Sequence, residues 1–195
     1  MHNFYQYLKN NIKIEEDTLN FIIDLTTIRK VKKHELLLTK GDICQHTFFI
    51  NHGLLRFYSI DESGKEHIIQ FAPENWFLSD RTSLYLTEPT AYFIDAIEDA
   101  EICLLAKNFT DQASLVSESF RIYHEKLLQT HITQLQNRIN LLIGAPAIER
   151  YVAFIKLYPD LVQRVPQWMV ASYLGITPES LSRVRKEISE KKSMI

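Results

Sequence analysis

The chain has 195 residues, 46% hydrophobic and 24% charged, with a net charge of −2. That suffices for one or two globular domains with a real core, while only 5 Gly residues and no Gly-rich run exclude a phosphate-cradling loop. No apolar run nears the roughly 20 residues that a membrane span needs, and the start "MHNFYQYLKNN" lacks the apolar stretch of a signal peptide.

Cys44 and Cys103 are the only cysteines and have no ligand-like spacing, so they read as buried thiols of a reducing cytoplasm. Charge is unevenly spread. Residues 1–144 carry 14 Lys+Arg against 19 Asp+Glu, a net of −5; residues 145–195 carry 8 against 5, a net of +3. An acidic body with a basic tail fits a sensor joined to a nucleic-acid reader.

Residues 1–28 predict helix, because Phe4, Tyr7 and Leu8, then Leu19, Ile22, Ile23 and Leu25, recur at helical spacing. From Val31 to about Lys107 the pattern turns to short β-rich segments, "ELLLTKGD", "HTFFINHGLLRFYSI", "EHIIQFAP" and "AYFIDAIEDAEICLLA". They are parted by turn signals at Gly41, Asn51–Gly53 and Asp61–Gly64, with no helical pattern between them, which favours an antiparallel roll over a parallel sheet. A long helix follows. Leu128, Ile132, Leu135, Ile139 and Leu142 step by 4, 3, 4 and 3 between polar flanks, a heptad seam suited to pairing two copies. Gly144 and Pro146 end that helix and mark a hinge, and "AIERYVAFIKLYP" predicts another helix stopped at Pro159.

The stretch "ASYLGITPESLSRVRKEI", 171–188, has the parts of a helix-turn-helix. Small Ala171 permits close helix approach, Gly175 supplies a positive-φ turn, and Leu181 plugs the angle between the helices. Val170, Leu174, Ile176 and Val184 fill further apolar slots. Thr177 is suited to cap the second helix, and Pro178 to occupy its first position. Its other face carries Glu179, Ser182, Arg183 and Lys186 at helical spacing, able to reach base edges and phosphates in a major groove. The candidate DNA-contacting set is Thr177, Glu179, Ser180, Ser182, Arg183 and Lys186.

With these parts in this order, the chain resembles the Crp/Fnr superfamily of transcription regulators over nearly its whole length. "LLLTKGD", "FFINHGLLRFY" and "DESGKEHIIQF" look like the turn glycines and flanking strands of that family's roll, and "TPESLSRV" looks like the start of its recognition helix. The resemblance implies an α+β fold: an antiparallel β-roll of double-stranded β-helix type in 1–110, a dimerisation helix in 111–144, and a winged helix-turn-helix in 145–195. It also implies that Glu179 accepts from a cytosine amino group, Arg183 donates to guanine, and Ser182 touches a base or the backbone. Pro178 stands where the family often has Arg, so no base contact is carried over there.

The family's cyclic-nucleotide cassette has Gly-Glu and, ten residues after that Glu, an Arg followed by Ser or Thr and Ala. Here "WFLSDRTSLYLTEPTAYF" aligns without a gap, placing Leu78, Ser79 and Pro89 at the Gly, Glu and Arg positions; only Thr90 survives. A buried phosphate without its cation is an uncompensated charge, which Arg81 could offset only by pointing inward. The expected effector pocket of Ser79, Arg81, Pro89 and Thr90 is therefore degenerate and does not hold cyclic AMP. The aromatic residues beside it, Trp76, Tyr85, Tyr92 and Phe93, suit either an apolar pocket or ordinary core.

Two cysteines cannot supply the four thiolates of an iron–sulfur cluster. His34, His46, His52 and His67 show no ligand spacing for haem or a metal, so no cofactor is expected. Asp80, Asp95 and His67 fall in no motif of a nucleophile or metal site, so the chain is not expected to be an enzyme. The expected function is a homodimeric cytoplasmic regulator that binds a pseudo-palindromic operator in double-stranded DNA, with RNA polymerase as a further partner and its effector unspecified. The rival reading is a small-ligand sensor module whose helix-turn-helix contacts protein rather than DNA.

Overall fold

A computed structural model describes residues 3–192. Two short helices, α1 (Asn3–Asn11) and α2 (Glu16–Asp24), lead into eight strands: β1 (Thr26–Val31), β2 (Leu36–Leu38), β3 (His46–His52), β4 (Leu55–Ile60), β5 (Glu66–Ala72), β6 (Phe77–Leu78), β7 (Phe93–Ala96) and β8 (Ala100–Ala106). Helix α3 (Arg81–Leu86) lies between β6 and β7. After β8 the chain is helical: α4 (Phe109–Val116), α5 (Glu118–Gly144), α6 (Ala147–Leu157), α7 (Leu161–Arg164), α8 (Gln167–Leu174) and α9 (Pro178–Lys192).

The strands form two four-stranded sheets, ordered β1-β8-β3-β6 and β2-β7-β4-β5. The pairings of β1 and β3 with β8, β3 with β6, and β7 with β2 and β4 are all antiparallel. This is the expected roll. Leu38, Phe48, Ile50, Leu55, Ile94 and Ile102 from both sheets are buried in one core. A second core joins Phe4, Leu8, Leu19 and Ile22 of the first helices to Phe49, Cys103, Phe109 and Phe120. Gly53 turns β3 into β4 at φ +92°, and a Cβ there would stand 2.6 Å from the Asp99 carbonyl oxygen, so the turn admits no side chain.

The chain packs as two compact units, Met1–Ile60 with Ile69–Gln129, and Asp61–Ile68 with Thr130–Ile195. The tip of the β4–β5 hairpin thus belongs with the C-terminal helices. Within that second unit, the Ser172 hydroxyl accepts from the Ile68 amide at 3.0 Å and donates to the Glu66 carbonyl at 3.1 Å.

Four local features differ from the sequence expectation, the first being α3 itself, which lies between β6 and β7 where no helix is expected. Strand β1 begins at Thr26, inside the stretch expected to be helical, because Thr26 to Val31 pair residue by residue with Leu105 to Ala100. The helix expected over 111–144 is interrupted: Ser117 takes an extended conformation and its hydroxyl accepts the Phe120 amide at 3.2 Å, so α4 stops there and α5 starts afresh. After Gly144 no strand of a wing occurs among the described residues. Pro159 and Pro166 bracket the segment before α8, and it forms only the one-turn α7, since prolines offer no amide to a strand pair.

Candidate nucleic-acid interface

Helix α8 ends at Gly175, whose φ of +65° lets the backbone reverse. The Gly175 amide donates to Ser172 and the Ile176 amide to Ala171, each at 3.0 Å, which satisfies the last carbonyls of the helix. Thr177 then caps α9: its hydroxyl oxygen accepts the Ser180 amide at 3.2 Å and its O–H lies 3.2 Å from the Ser180 hydroxyl. Pro178 opens the helix where no amide is needed. Below the turn, Ala171 and Leu181 are 1% exposed, and Val170, Leu174 and Val184 are buried with them. Phe154, Tyr158 and Tyr173 form a ring cluster with centroids 5.4–5.7 Å apart, which gives the three-helix unit its floor.

With Leu181 and Val184 fixed inward, Glu179, Ser182, Arg183 and Lys186 are exposed. Glu179 is held below the usual carboxylate range by its own backbone amide, then by the Thr177 hydroxyl and the nearby Arg183 charge. It is therefore an acceptor at neutral pH. Lys186 meets Glu190 at 3.8 Å, an exposed pair that phosphate can displace. Ser180 is half-buried and engaged with Thr177, so of the six candidates Thr177 and Ser180 build the helix start, while the other four face out.

Along α5, Ile132, Leu135 and Ile139 of the seam are 47%, 42% and 57% exposed, and Leu128 is half-buried. Exposed Ile143, four residues past Ile139, lengthens this apolar surface. Leu142 differs: its side chain leans toward Gly175, within 3.4 Å of where a Cβ would stand.

At the degenerate cassette, Asp80 is the organising residue. Its carboxylate caps α3 by accepting the Ser83 amide at 3.3 Å, and it accepts the Thr90 hydroxyl at 2.6 Å. The Ser83 hydroxyl accepts the Cys44 amide at 2.8 Å, and Thr90 accepts the Tyr92 amide at 3.1 Å. Asp80 and Thr90 are 5% and 3% exposed. Arg81 points out over the Tyr85 ring, 4.8 Å from its centroid, so it offers no inward cation. Ser79 is half-buried and Pro89 exposed. Tyr92 packs at a tilt on core Phe57 with centroids 4.7 Å apart, Phe93 stacks at 5.3 Å on Tyr58, and Trp76 packs on the same core, so these aromatics are structural. Burial raises both thiols, Cys103 to about 11, as expected of unreactive core cysteines.

Comparison with known proteins agrees with this geometry. The model of the cyclic nucleotide-binding domain family matches residues 28–114. Over 181 residues the chain is 26% identical to the anaerobic regulatory protein of Haemophilus influenzae, covering 87% of this chain and 69% of that one. It is 27% identical over 181 residues to the fumarate and nitrate reduction regulatory protein of Yersinia pestis, covering 87% and 71%. The solved structure of FixK2 from Bradyrhizobium japonicum superposes with a TM-score of 0.70 over 86% of each chain at 18% identity. The chain is thus similar in sequence to these regulatory proteins and shares the fold of Crp/Fnr-type regulators. The relatives are named as regulatory proteins, and no helix among the described residues of this chain is long and apolar enough to cross a membrane.

Against the cyclic-nucleotide cassette the informative departure is Asp80. In the sequence Asp80 falls in no motif of a nucleophile or metal site, whereas in the structure its carboxylate is the hub of a closed hydrogen-bond set. The spacing Asp80-x-x-Ser83, a helix-capping pattern, is the signal that foretells it.

Proposed function

We propose that two copies pair along the α5 seam and present their α9 helices to successive major grooves of a pseudo-palindromic operator. The carrying observation is the division of α9: Leu181 and Val184 are consumed by the helix-turn-helix core, and Glu179, Ser182, Arg183 and Lys186 are left outward on one face. Arg183 donates to guanine O6 and N7, Glu179 accepts from a cytosine amino group, and Lys186 meets phosphate. Half-sites lie about one duplex turn apart, roughly 34 Å, and movement at the Gly144–Pro146 hinge sets that spacing. The regulator works in the cytoplasm with RNA polymerase as its downstream partner. Cyclic AMP is not its effector: the anion-binding position is filled by the protein's own carboxylate, and Arg81 is turned away.

The paired state is tested by Leu135→Asp. A carboxylate buried between two helices has no partner, so the variant sediments as a monomer and loses operator binding while keeping its helix content. A variant that remains a dimer overturns the seam.

A further inference from the structure

Leu142 closes the α5 seam but is half-buried, whereas Ile132, Leu135 and Ile139 before it are exposed. Its side chain belongs to the wall of a cavity of about 200 Å³ within the C-terminal unit. Leu141, Ala153, Phe154, Leu157 and Leu174 complete the apolar wall, and exposed Gln134 and Asn137 form a polar rim. The two arginines at the border are engaged elsewhere. Arg138 lies on the Tyr173 ring, 3.8 Å from its centroid, and donates to the Ile68 and Tyr173 carbonyls, while Arg150 donates to the carbonyls of Ala145 and Leu174. An occupant therefore meets mainly hydrocarbon. The cavity is somewhat larger than the roughly 150 Å³ void that accommodates a benzene ring, so a branched aliphatic side chain fits it.

Beside Leu142 stands Ile143, 81% exposed and the barest apolar side chain of α5. With Ile132 and Ile139 at a and Leu135 and Leu142 at d, Arg138 takes a g position and Ile143 the e position of the next turn. In two parallel helices, g residues of one flank e residues of the other. Parallel pairing is also the arrangement that brings both C-terminal units to one end, as binding to a single operator needs. It delivers Ile143 of each copy to the Arg138 border of the other copy's cavity.

We propose that the cavity is a docking site for a second copy of this chain, with the partner subunit's Ile143 seated against Leu142 and Phe154. This rests on the α5 pairing proposed above and adds to it a contact that lies off the seam. By two-fold symmetry each copy gives one isoleucine and receives one. Each contact ties the end of one α5 to α6 and α8 of the other copy, and so holds the C-terminal units together across the Gly144–Pro146 hinge.

The test is a mixed dimer of the 195-residue chain. One population carries isotope-labelled isoleucine methyl groups and the other protonated phenylalanine and tyrosine rings, so any nuclear Overhauser effect between the labels crosses the interface. A cross-peak is expected from the Ile143 methyl to the ring of Phe154 or Tyr173, assigned by its loss in Ile143→Ala. In sedimentation, Ile143→Asp raises the dimer dissociation constant about tenfold or more, as loss of a buried aliphatic side chain does. Asn140→Asp, the same charge on a face of α5 away from the seam, leaves it unchanged. Ala153→Trp, which fills the cavity from a half-buried position on α6, weakens the dimer with helix content unchanged. Should Ala153→Trp fail to fold, the cross-peak and Ile143→Asp carry the test. A dimer without the cross-peak overturns the docking and leaves the seam standing, and undiminished pairing in Ile143→Asp or in folded Ala153→Trp overturns it as well. A wild-type chain that sediments as a monomer removes both the docking and the seam.

Discussion

Around the start of α3, an aspartate, a serine and a threonine are turned toward one another: Asp80 accepts from Ser83 and Thr90, and both Asp80 and Thr90 are buried. Along α9, a glutamate, a serine and an arginine are turned away from the protein, and Leu181 and Val184 do the packing. In the first region every polar atom serves its neighbour and the side chains stabilise the fold. In the second the polar atoms have little to do inside the molecule and are available to a ligand. Position in a family motif therefore says less about function than whether a group's hydrogen bonds are already taken.

The contrast can be broken in several ways. The largest effect is expected from Leu181→Ala, which empties a fully packed site and costs about 2–5 kcal/mol of stability in urea unfolding. A loss below about 0.5 kcal/mol, the range of ordinary surface changes, would mean that α9 is not seated as described. Asp80→Ala leaves the Thr90 hydroxyl and the Ser83 amide without their acceptor and costs about 1–3 kcal/mol. Its selected DNA motif stays that of the wild type, since the cassette is structural. The smallest effect is expected from cyclic AMP itself. A true ligand at 100 times its dissociation constant adds about 2.7 kcal/mol, whereas millimolar cyclic AMP leaves the melting temperature of this protein unmoved. A clear rise would show that Asp80 yields its place to a phosphate.

Much of this organisation is legible in the sequence where it is local. Gly175, Thr177, Pro178 and Leu181 act within one or two turns of each other, so their spacing alone gives the turn, the cap and the plug. The roll is legible as a run of short β segments between glycine turns. Strand β1 is not: Thr27, Ile28, Arg29 and Lys30 are all exposed, no alternation marks them, and only the ladder to β8 makes them a strand. The break at Ser117 hides within a continuous helical pattern. The cassette is legible by what it lacks, while the closing of the set by Thr90 on Asp80, ten residues away, depends on the fold.

The outward face of α9 as a reader of bases is the central claim, and binding-site selection at one fixed salt concentration tests it most directly, comparing wild type with Arg183→Ala and Lys186→Ala. Arg183→Ala is expected to lose about 1–3 kcal/mol per half-site and its preference at one guanine, because a bidentate donor to O6 and N7 is gone. Lys186→Ala is expected to weaken all sequences alike and to flatten the salt dependence by about one phosphate's worth. If Arg183→Ala instead selects the wild-type motif with only its affinity reduced, α9 does not read bases and the account is contradicted.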